Sequence, residues 1–257
     1  MSGPELKIII LLLLAIPGQA TLTGQSSRTD PRLQEWKAQG ALRDSLDSYI
    51  LKQFGPNQVL LNGYQYYEEY RRYKGNPYLA REDFFTGSVS RSGQNFEGLQ
   101  LKYDCFAQLI VVEFSQTGTD LNRVMINNTD TDSFRVGDMH FIKTSLNGES
   151  EIYYQVIEAD PLTCYVHWEK ELIPLSNDLR YPYEFSRSKA LVFVRLEHEL
   201  QQVQGRKAFS AMFPGELSTP LRKYYRRNQF RFSNAGPEAL TQLIRFAAGE
   251  LKKLQEL

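Results

Sequence analysis

Short runs of β-branched and aromatic residues alternate with polar turns over most of this sequence. Between residues 58 and 205 these runs include FEGLQLKYD, LIVVEF, RVMIN, FRV, HFIK, IYYQVI, CYVHW and ALVFVRL. In FEGLQLKYD the apolar residues Leu99, Leu101 and Tyr103 are spaced by two, so they share one face of an extended chain. Such runs, each bounded by turn residues, predict a β domain over 58–205.

Turn residues separate the predicted strands at short intervals. Asn147-Gly148 is typical of a two-residue type I′ hairpin, which needs positive φ at both positions. Connections this short leave no room for crossover helices, so we expect antiparallel pairing. Some runs, such as LIVV, are apolar on both faces and indicate a sheet that is covered on two sides. The expected architecture is a curved antiparallel β-meander or a partly closed barrel.

The C-terminal segment, residues 206–257, is predicted to be mainly helical and to pack on the sheet. One helix begins at Thr219-Pro220, with Thr219 as its N-cap, and ends near Asn228. The run QFRFS then predicts a short strand. The last helix begins at Gly236-Pro237, and its apolar stripe contains Leu240, Leu243, Ile244, Ala247, Leu251 and Leu254. The predicted fold class is therefore α+β.

The first twenty residues are typical of a secretory signal peptide. Lys7 precedes an apolar run over residues 8–16, and Gly18-Gln19-Ala20 offers small residues for cleavage. The run is shorter than the roughly 20 residues that a membrane-spanning helix needs. We expect cleavage near Ala20 and export to the periplasm or cell surface. A polar leader (21–31) and a helical arm (32–57) should follow.

Composition narrows the possible partners and the disulfide chemistry. The formal net charge is zero, which argues against nucleic acid as a partner. Cys105 and Cys164 are the two cysteines, and export would place them in an oxidising compartment. They could form a disulfide or remain free, because both lie in apolar, strand-like runs where a thiol also packs as a small hydrophobe.

A set of motifs resembles one group of bacterial proteins. The segments LLNGYQYY, KGNPYL, GSVSRSGQNFEGLQLKYDCF, IYYQVI and LRKYYRRNQFRFSNAGPEALTQLIRFA, within residues 58–248, carry the resemblance. Together they are similar to uncharacterised exported β-rich proteins of Bacteroidetes-type bacteria. The resemblance implies an envelope protein and brings no catalytic residue with it.

Motifs for catalysis and metal binding are sparse. His140, His167 and His198 stand alone in separate runs, so a zinc site would have to assemble from distant parts of the chain. Asn128, Asp130 and Asp132 alternate as the start of a calcium loop can, but ordinary turns use the same residues. We expect no catalytic residue, metal or cofactor from these patterns.

Two clusters remain as candidate binding residues. Residues 62–79, NGYQYYEEYRRYKGNPYL, contain six tyrosines, and we expect their rings to pack at alternate positions of an extended segment that enters the sheet, with EEYRR at an exposed bend. The alternative is that Tyr66, Tyr70 and Tyr73 lie at that bend and contact a ligand. The run LRKYYRRNQFRF places its basic side chains among aromatic ones. We expect a helix with Leu221, Tyr224 and Tyr225 turned inward and a solvated basic face. The alternative is that Arg222, Arg226 and Arg227 contact an anionic lipid, lipopolysaccharide or an acidic glycan.

These observations favour an exported cell-envelope protein without enzymatic activity. It would bind a lipid, a glycan or a protein partner, or serve in envelope structure or assembly, with peripheral membrane contact as one mode. The alternative is a hydrolase of an envelope polymer, which would need a carboxylate pair such as Glu68 or Glu69 with a distant acid.

Overall fold

The structure is a computed structural model that describes residues 65–67, 70, 72–80, 82–115, 121–126, 129–148, 150–176, 178 and 180–256. The signal peptide, the leader and the N-terminal helical arm that we predict lie outside the described residues. The described part contains the strands β1 (Tyr73–Lys74), β2 (Phe85–Arg91), β3 (Gln94–Asp104), β4 (Leu109–Ser115), β5 (Leu121–Met125), β6 (Thr131–Val136), β7 (Met139–Thr144), β8 (Ile152–Ala159), β9 (Leu162–Glu169), β10 (Leu172–Pro174), β11 (Tyr183–Phe185), β12 (Lys189–Leu196) and β13 (Glu199–Val203). The helices are α1 (Arg206–Ala211), α2 (Ser218–Arg227) and α3 (Pro237–Gln255).

Ten of the strands form one large antiparallel sheet. Their order is β13-β12-β9-β8-β7-β6-β2-β3-β4-β5. Each neighbouring pair is antiparallel, which confirms the prediction made from the short connections. The terminal strands β13 and β5 do not pair with each other in the described part of the chain, so the sheet is open.

Local sequence explains why these strands form and where they turn. Leu99, Leu101 and Tyr103 are all buried, as their spacing by two predicts. Asn147 and Gly148 have φ values of 55° and 78°, so both occupy the left-handed region that a type I′ hairpin turn requires. The prediction of a hairpin at this dipeptide is therefore confirmed.

Aromatic contacts show that the large sheet is curved. The ring of Tyr103 on β3 lies 5.2 Å from Phe134 on β6, 5.1 Å from Phe141 on β7 and 6.3 Å from Tyr153 on β8. In the sheet order, β2 lies between β3 and β6, and β7 and β8 follow β6. Neighbouring strands are about 4.8 Å apart, so in a flat sheet the Tyr103 ring would lie too far from β7 and β8 to contact their rings. The sheet must therefore be curved.

The helices cover the apolar side of the sheet. Helix α3 contacts β8 and β9, and its buried residues belong to the same hydrophobic core as the strands. These residues are Leu240, Leu243, Ile244, Ala247, Ala248 and Leu251. The stripe spaced by three and four therefore packs inward, and Pro237 is the first residue of the helix, as predicted. No helix in the described residues is both long and apolar enough to cross a membrane.

Two details of the C-terminal segment differ from the predictions. Helix α2 begins at Ser218, directly after a 3₁₀ turn, and Thr219 forms no capping hydrogen bond. The run QFRFS is not a strand, because it contains a 3₁₀ turn at Phe232–Asn234. Strand β12, the nearest strand to this turn, already pairs with β9 and β13, so neither of its edges is open to another strand.

A second, three-stranded sheet lies beside the first and is the exception to purely antiparallel pairing. Its order is β1-β11-β10, and β1 pairs with β11 in parallel. Tyr73 is opposite Tyr183, and Leu172 is opposite Phe185. These four side chains therefore share one face of the small sheet, because residues directly paired across strands point the same way.

Candidate functional site

The tyrosine-rich segment divides between the interior and the surface. Tyr66 is 8% exposed, and its hydroxyl lies 3.0 Å from that of Tyr78 in a buried hydrogen bond. Burial, followed by the hydrogen bond with Tyr78, raises the pKa of the Tyr66 hydroxyl well above its ordinary value. Tyr66 therefore packs inside the protein and does not lie at the exposed bend where the ligand-contact alternative places it. Glu68 and Glu69 lie outside the described residues.

Tyr70 and Tyr73 belong to a group of five rings that we call the aromatic cluster. The Tyr70 ring centroid lies 5.8 Å from Tyr73, 5.8 Å from Phe106 and 5.3 Å from Phe185. Tyr73 lies 5.4 Å from Tyr183 and 6.0 Å from Phe185, and Phe106 lies 5.5 Å from Phe185. The structure thus brings together three distant parts of the chain: 70–73, the turn at 106, and 183–185.

Two strands and one turn position the aromatic cluster. The β1–β11 register places Tyr73 beside Tyr183, and the alternation along β11 returns Phe185 to the same face. Phe106 comes from the turn between β3 and β4. The cluster has a depth gradient, because Phe185 is 6% exposed while Tyr183 is 40% exposed. Phe185 is therefore the buried ring of the cluster, Tyr70, Tyr73 and Phe106 are half-buried, and Tyr183 is the most exposed ring.

A buried carboxylate holds the turn that carries Phe106. Asp104 is fully buried, and its Oδ1 accepts hydrogen bonds from the backbone N–H groups of Phe106 at 3.0 Å and Ala107 at 2.8 Å. Its Oδ2 has no hydrogen-bond partner in the described part of the chain. Burial raises the pKa of the Asp104 carboxyl to about 6, although the two N–H bonds act in the opposite direction.

Lys170 ties the cluster's turn to the loop that follows β1. Its backbone N–H donates to the Cys105 carbonyl at 3.2 Å, and its Nζ donates to the Asn76 carbonyl at 2.7 Å. Burial lowers the pKa of the Lys170 ammonium. The small sheet and the β3–β4 turn are therefore fastened to each other by hydrogen bonds as well as by ring packing.

The two cysteines are free thiols, so the disulfide that we considered is not present in the structure. Cys105 Sγ donates to the Pro77 carbonyl at 3.3 Å. The Cys105 carbonyl accepts a hydrogen bond from the Lys170 N–H, and Lys170 is six residues beyond Cys164 along the chain. Six residues of extended strand span about 20 Å. Bridged cysteines need Cα atoms within about 7 Å. Burial raises the pKa of the Cys105 thiol to about 12, so the thiol is unreactive near neutral pH.

The three histidines are packed or exposed separately and do not meet. The ring of His167 is buried, with Nδ1 2.9 Å from the Tyr153 carbonyl and Nε2 3.2 Å from Glu169 Oε1. His140 is half-buried, and burial, followed by Arg135, lowers its pKa. His198 is exposed. Within the described ranges, no group of three His, Cys, Asp or Glu side chains is placed to hold a metal ion.

A concavity beside strands β7 and β8 was not predicted from the sequence. It has a volume of about 340 Å³ and is lined by Gln108, Thr129, Lys143, Glu151, Ile152 and Tyr153. Its lining contains a single carboxylate. The groove therefore lacks the pair of acids on which the hydrolase alternative depends.

The predicted basic residues lie on a different part of the molecule. Arg222, Arg226 and Arg227 are all exposed on α2. Leu221 and Tyr225 are buried on the same helix. The aromatic cluster and the basic helix are thus two separate candidate surfaces.

Sequence analysis missed Phe106, Tyr183 and Phe185 as members of the aromatic cluster. The alternation in Tyr183-Glu184-Phe185 was a weak signal that two rings share a face. Nothing in the sequence indicated that β1 would pair with β11. No protein-family model, curated protein or solved structure matches this chain, so the candidate site is defined by its own geometry.

Proposed function

We propose that this chain is an exported cell-envelope protein without enzymatic activity, and that it binds a glycan through the aromatic cluster. The observation that carries the proposal is the arrangement of Tyr70, Tyr73 and Tyr183. These tyrosines belong to a connected cluster of five rings in which Tyr70 and Tyr73 are half-buried and Tyr183 is 40% exposed.

The chemistry of tyrosine suits a sugar ligand. An aromatic ring offers a large apolar surface to the C–H groups of a pyranose, and the hydroxyl at its edge can bond to sugar hydroxyls. The cluster is also preorganised, because Tyr70 and Tyr73 pack against the buried Phe185 and Tyr70 packs against Phe106. A rigid aromatic surface loses little conformational entropy when a ligand binds.

The setting in the cell envelope is part of the same proposal. The sequence of residues 1–20 and the resemblance to exported bacterial proteins support it. Envelope proteins meet polysaccharide at high local concentration, so a shallow aromatic surface would be sufficient for association with the polymer.

A hydrolase has weaker support. Asp104 is the carboxylate nearest the cluster's turn, but it is fully buried and both its hydrogen bonds go to the backbone. A general acid must reach the glycosidic oxygen of its substrate. Asp104 therefore serves the turn and not a reaction.

Substitution of the cluster tyrosines tests the proposal. We expect Tyr73→Ala and Tyr183→Ala each to weaken binding of chitohexaose or cellohexaose by about tenfold, because each removes one stacking surface. Isothermal titration calorimetry with the full chain measures the affinity.

Tyr67→Ala is the matched control. Tyr67 is 67% exposed, and its hydroxyl bonds to Gln65 outside the cluster. Its substitution should leave the affinity unchanged. Equal losses in all three variants, or no detectable heat with either oligosaccharide, would contradict glycan binding at the cluster.

A further inference from the structure

Helix α2 has one strongly basic side. Arg222, Lys223, Arg226 and Arg227 are exposed, and we call these four residues the basic face. Successive residues of an α-helix are rotated by about 100°, so the four side chains fall within about 140° of the helix circumference. The helix contains no acidic residue.

The basic face has no partner in the part of the chain that the structure describes. None of its four side chains forms an ion pair or side-chain hydrogen bond with another described residue. The lysines at the end of α3 differ, because Lys252 Nζ lies 2.9 Å from Asp160 Oδ2 and Lys253 Nζ lies 2.6 Å from Glu250 Oε1. The two lysines near the end of α3 are therefore paired, whereas the four cations of the basic face have no such partner among the described residues.

The stability of α2 does not account for this arrangement. Arg222 and Arg226 are four residues apart, as are Lys223 and Arg227, and like charges at this spacing repel each other and destabilise a helix. The helix dipole favours Arg226 and Arg227, which lie in the last turn. Arg222 and Lys223 lie in the middle of the helix, where the dipole gives no benefit. An external anion would relieve both repulsions.

Charge is also distributed unevenly along the chain. Residues 206–257 contain ten Lys and Arg residues and four Asp and Glu residues, whereas the whole chain contains thirty of each kind. The helical segment is therefore basic, and the rest of the chain is acidic. Arg231 is exposed just beyond α2, and the exposed Arg206 donates to the Phe230 carbonyl beside it, so both extend the positive surface.

We propose that the basic face docks on the headgroups of an anionic phospholipid bilayer as a peripheral membrane contact. The charge complementarity is direct, because phosphate headgroups supply the anions that the four cations lack among the described residues. Each Lys or Arg close to an anionic membrane strengthens binding by about fivefold. This inference rests on α2 alone and is independent of glycan binding at the aromatic cluster.

A double charge reversal separates docking from helix stability. In Arg222→Glu/Lys223→Glu, each new carboxylate would lie four residues before Arg226 or Arg227, the favourable orientation for a helical ion pair. The variant should therefore melt at the same or a higher temperature than the original chain. Its binding to vesicles of phosphatidylglycerol and phosphatidylcholine should nevertheless weaken by about 30-fold or more.

The original chain provides the reference in vesicle co-sedimentation. It should bind vesicles that contain phosphatidylglycerol, ignore pure phosphatidylcholine, and dissociate as salt rises from about 50 mM to about 500 mM, because salt screens exposed charges. Lys252→Glu/Lys253→Glu makes the same change of net charge on α3 and should retain binding.

Three results would overturn the inference. They are equal binding to neutral vesicles, equal losses in the α2 and α3 variants, and retention on an acidic polysaccharide such as polygalacturonate without binding to vesicles. The last result would assign the basic face to an acidic glycan.

Discussion

Asp104 is a buried carboxyl group that makes the stability of a surface turn depend on pH. Its Oδ1 accepts two backbone hydrogen bonds that shape the β3–β4 turn, and that turn carries Phe106 into the aromatic cluster. Burial raises its pKa from the ordinary value of 3.8 to about 6. The folded state therefore binds the Asp104 proton more tightly than the unfolded state does.

The linkage predicts a specific pH dependence. Because the folded-state pKa is raised, the stabilisation by protonated Asp104 is fully present below pH 3.8 and is lost as pH rises through about 6. A shift of this size corresponds to about 3 kcal/mol of unfolding free energy. In Asp104→Asn the amide oxygen can still accept the two N–H bonds, so the variant should lose this pH dependence.

Urea denaturation of the original chain and of Asp104→Asn at a series of pH values between 4 and 8 provides the measurement. The unfolding free energy of the variant relative to the original should rise with pH over this interval. A constant difference would mean that Asp104 has an ordinary pKa in the folded protein.

At the scale of elements, side-chain alternation and turn chemistry were informative because they are local. The period of two located the strands of the large sheet, and Asn147-Gly148 located a hairpin. The run QFRFS was misassigned because its alternating rings pack instead on nearby rings, with Phe230 6.0 Å from Tyr225 and Phe232 5.8 Å from Phe209. A strand also needs a free neighbouring edge, and sequence alone does not reveal which edges remain free.

A pair of glycines tests the account of the elements. An added Cβ at Gly87 in β2 would lie 1.9 Å from the Arg135 carbonyl oxygen, so Gly87→Ala forces β2 and β6 apart. We expect a loss of about 3 kcal/mol or more of unfolding free energy. Gly249 in α3 has open space around the same position, and Gly249→Ala should stabilise the protein by about 1 kcal/mol.

Chemical denaturation of the two alanine variants gives both values in one experiment. The opposite signs are the informative feature, because the chemical change is identical. If Gly87→Ala were neutral, the close approach of β2 to β6 would be wrong. If Gly249→Ala were destabilising, the open surroundings of Gly249 would be wrong.

At the scale of the whole molecule, the aromatic cluster could be predicted only in part. Tyr70 and Tyr73 are half-buried and pack against other rings, and Tyr66 is buried against Tyr78. Their partners come from positions more than thirty residues away along the chain, through the pairing of β1 with β11 and the turn at Phe106. Long-range strand pairing depends on the complete fold, so no local sequence pattern could predict the pairing of β1 with β11.

The basic face illustrates the opposite case. Its four cations are close in sequence, so the cluster was visible before the structure was known. The structure adds that Leu221 and Tyr225 occupy the buried side and that the described residues offer the cations no partner. Local spacing thus located the surface, and tertiary structure defined its exposure.

The central claim is that the aromatic cluster is the glycan-binding surface, and NMR chemical-shift mapping tests it most directly. Titration of the isotopically labelled full chain with chitohexaose or cellohexaose should perturb the backbone amides of residues 72–74, 106 and 183–185. The amides of α2 and of the groove residues Lys143 and Glu151 should not move. Perturbations confined to that groove, or none at saturating oligosaccharide, would contradict the claim.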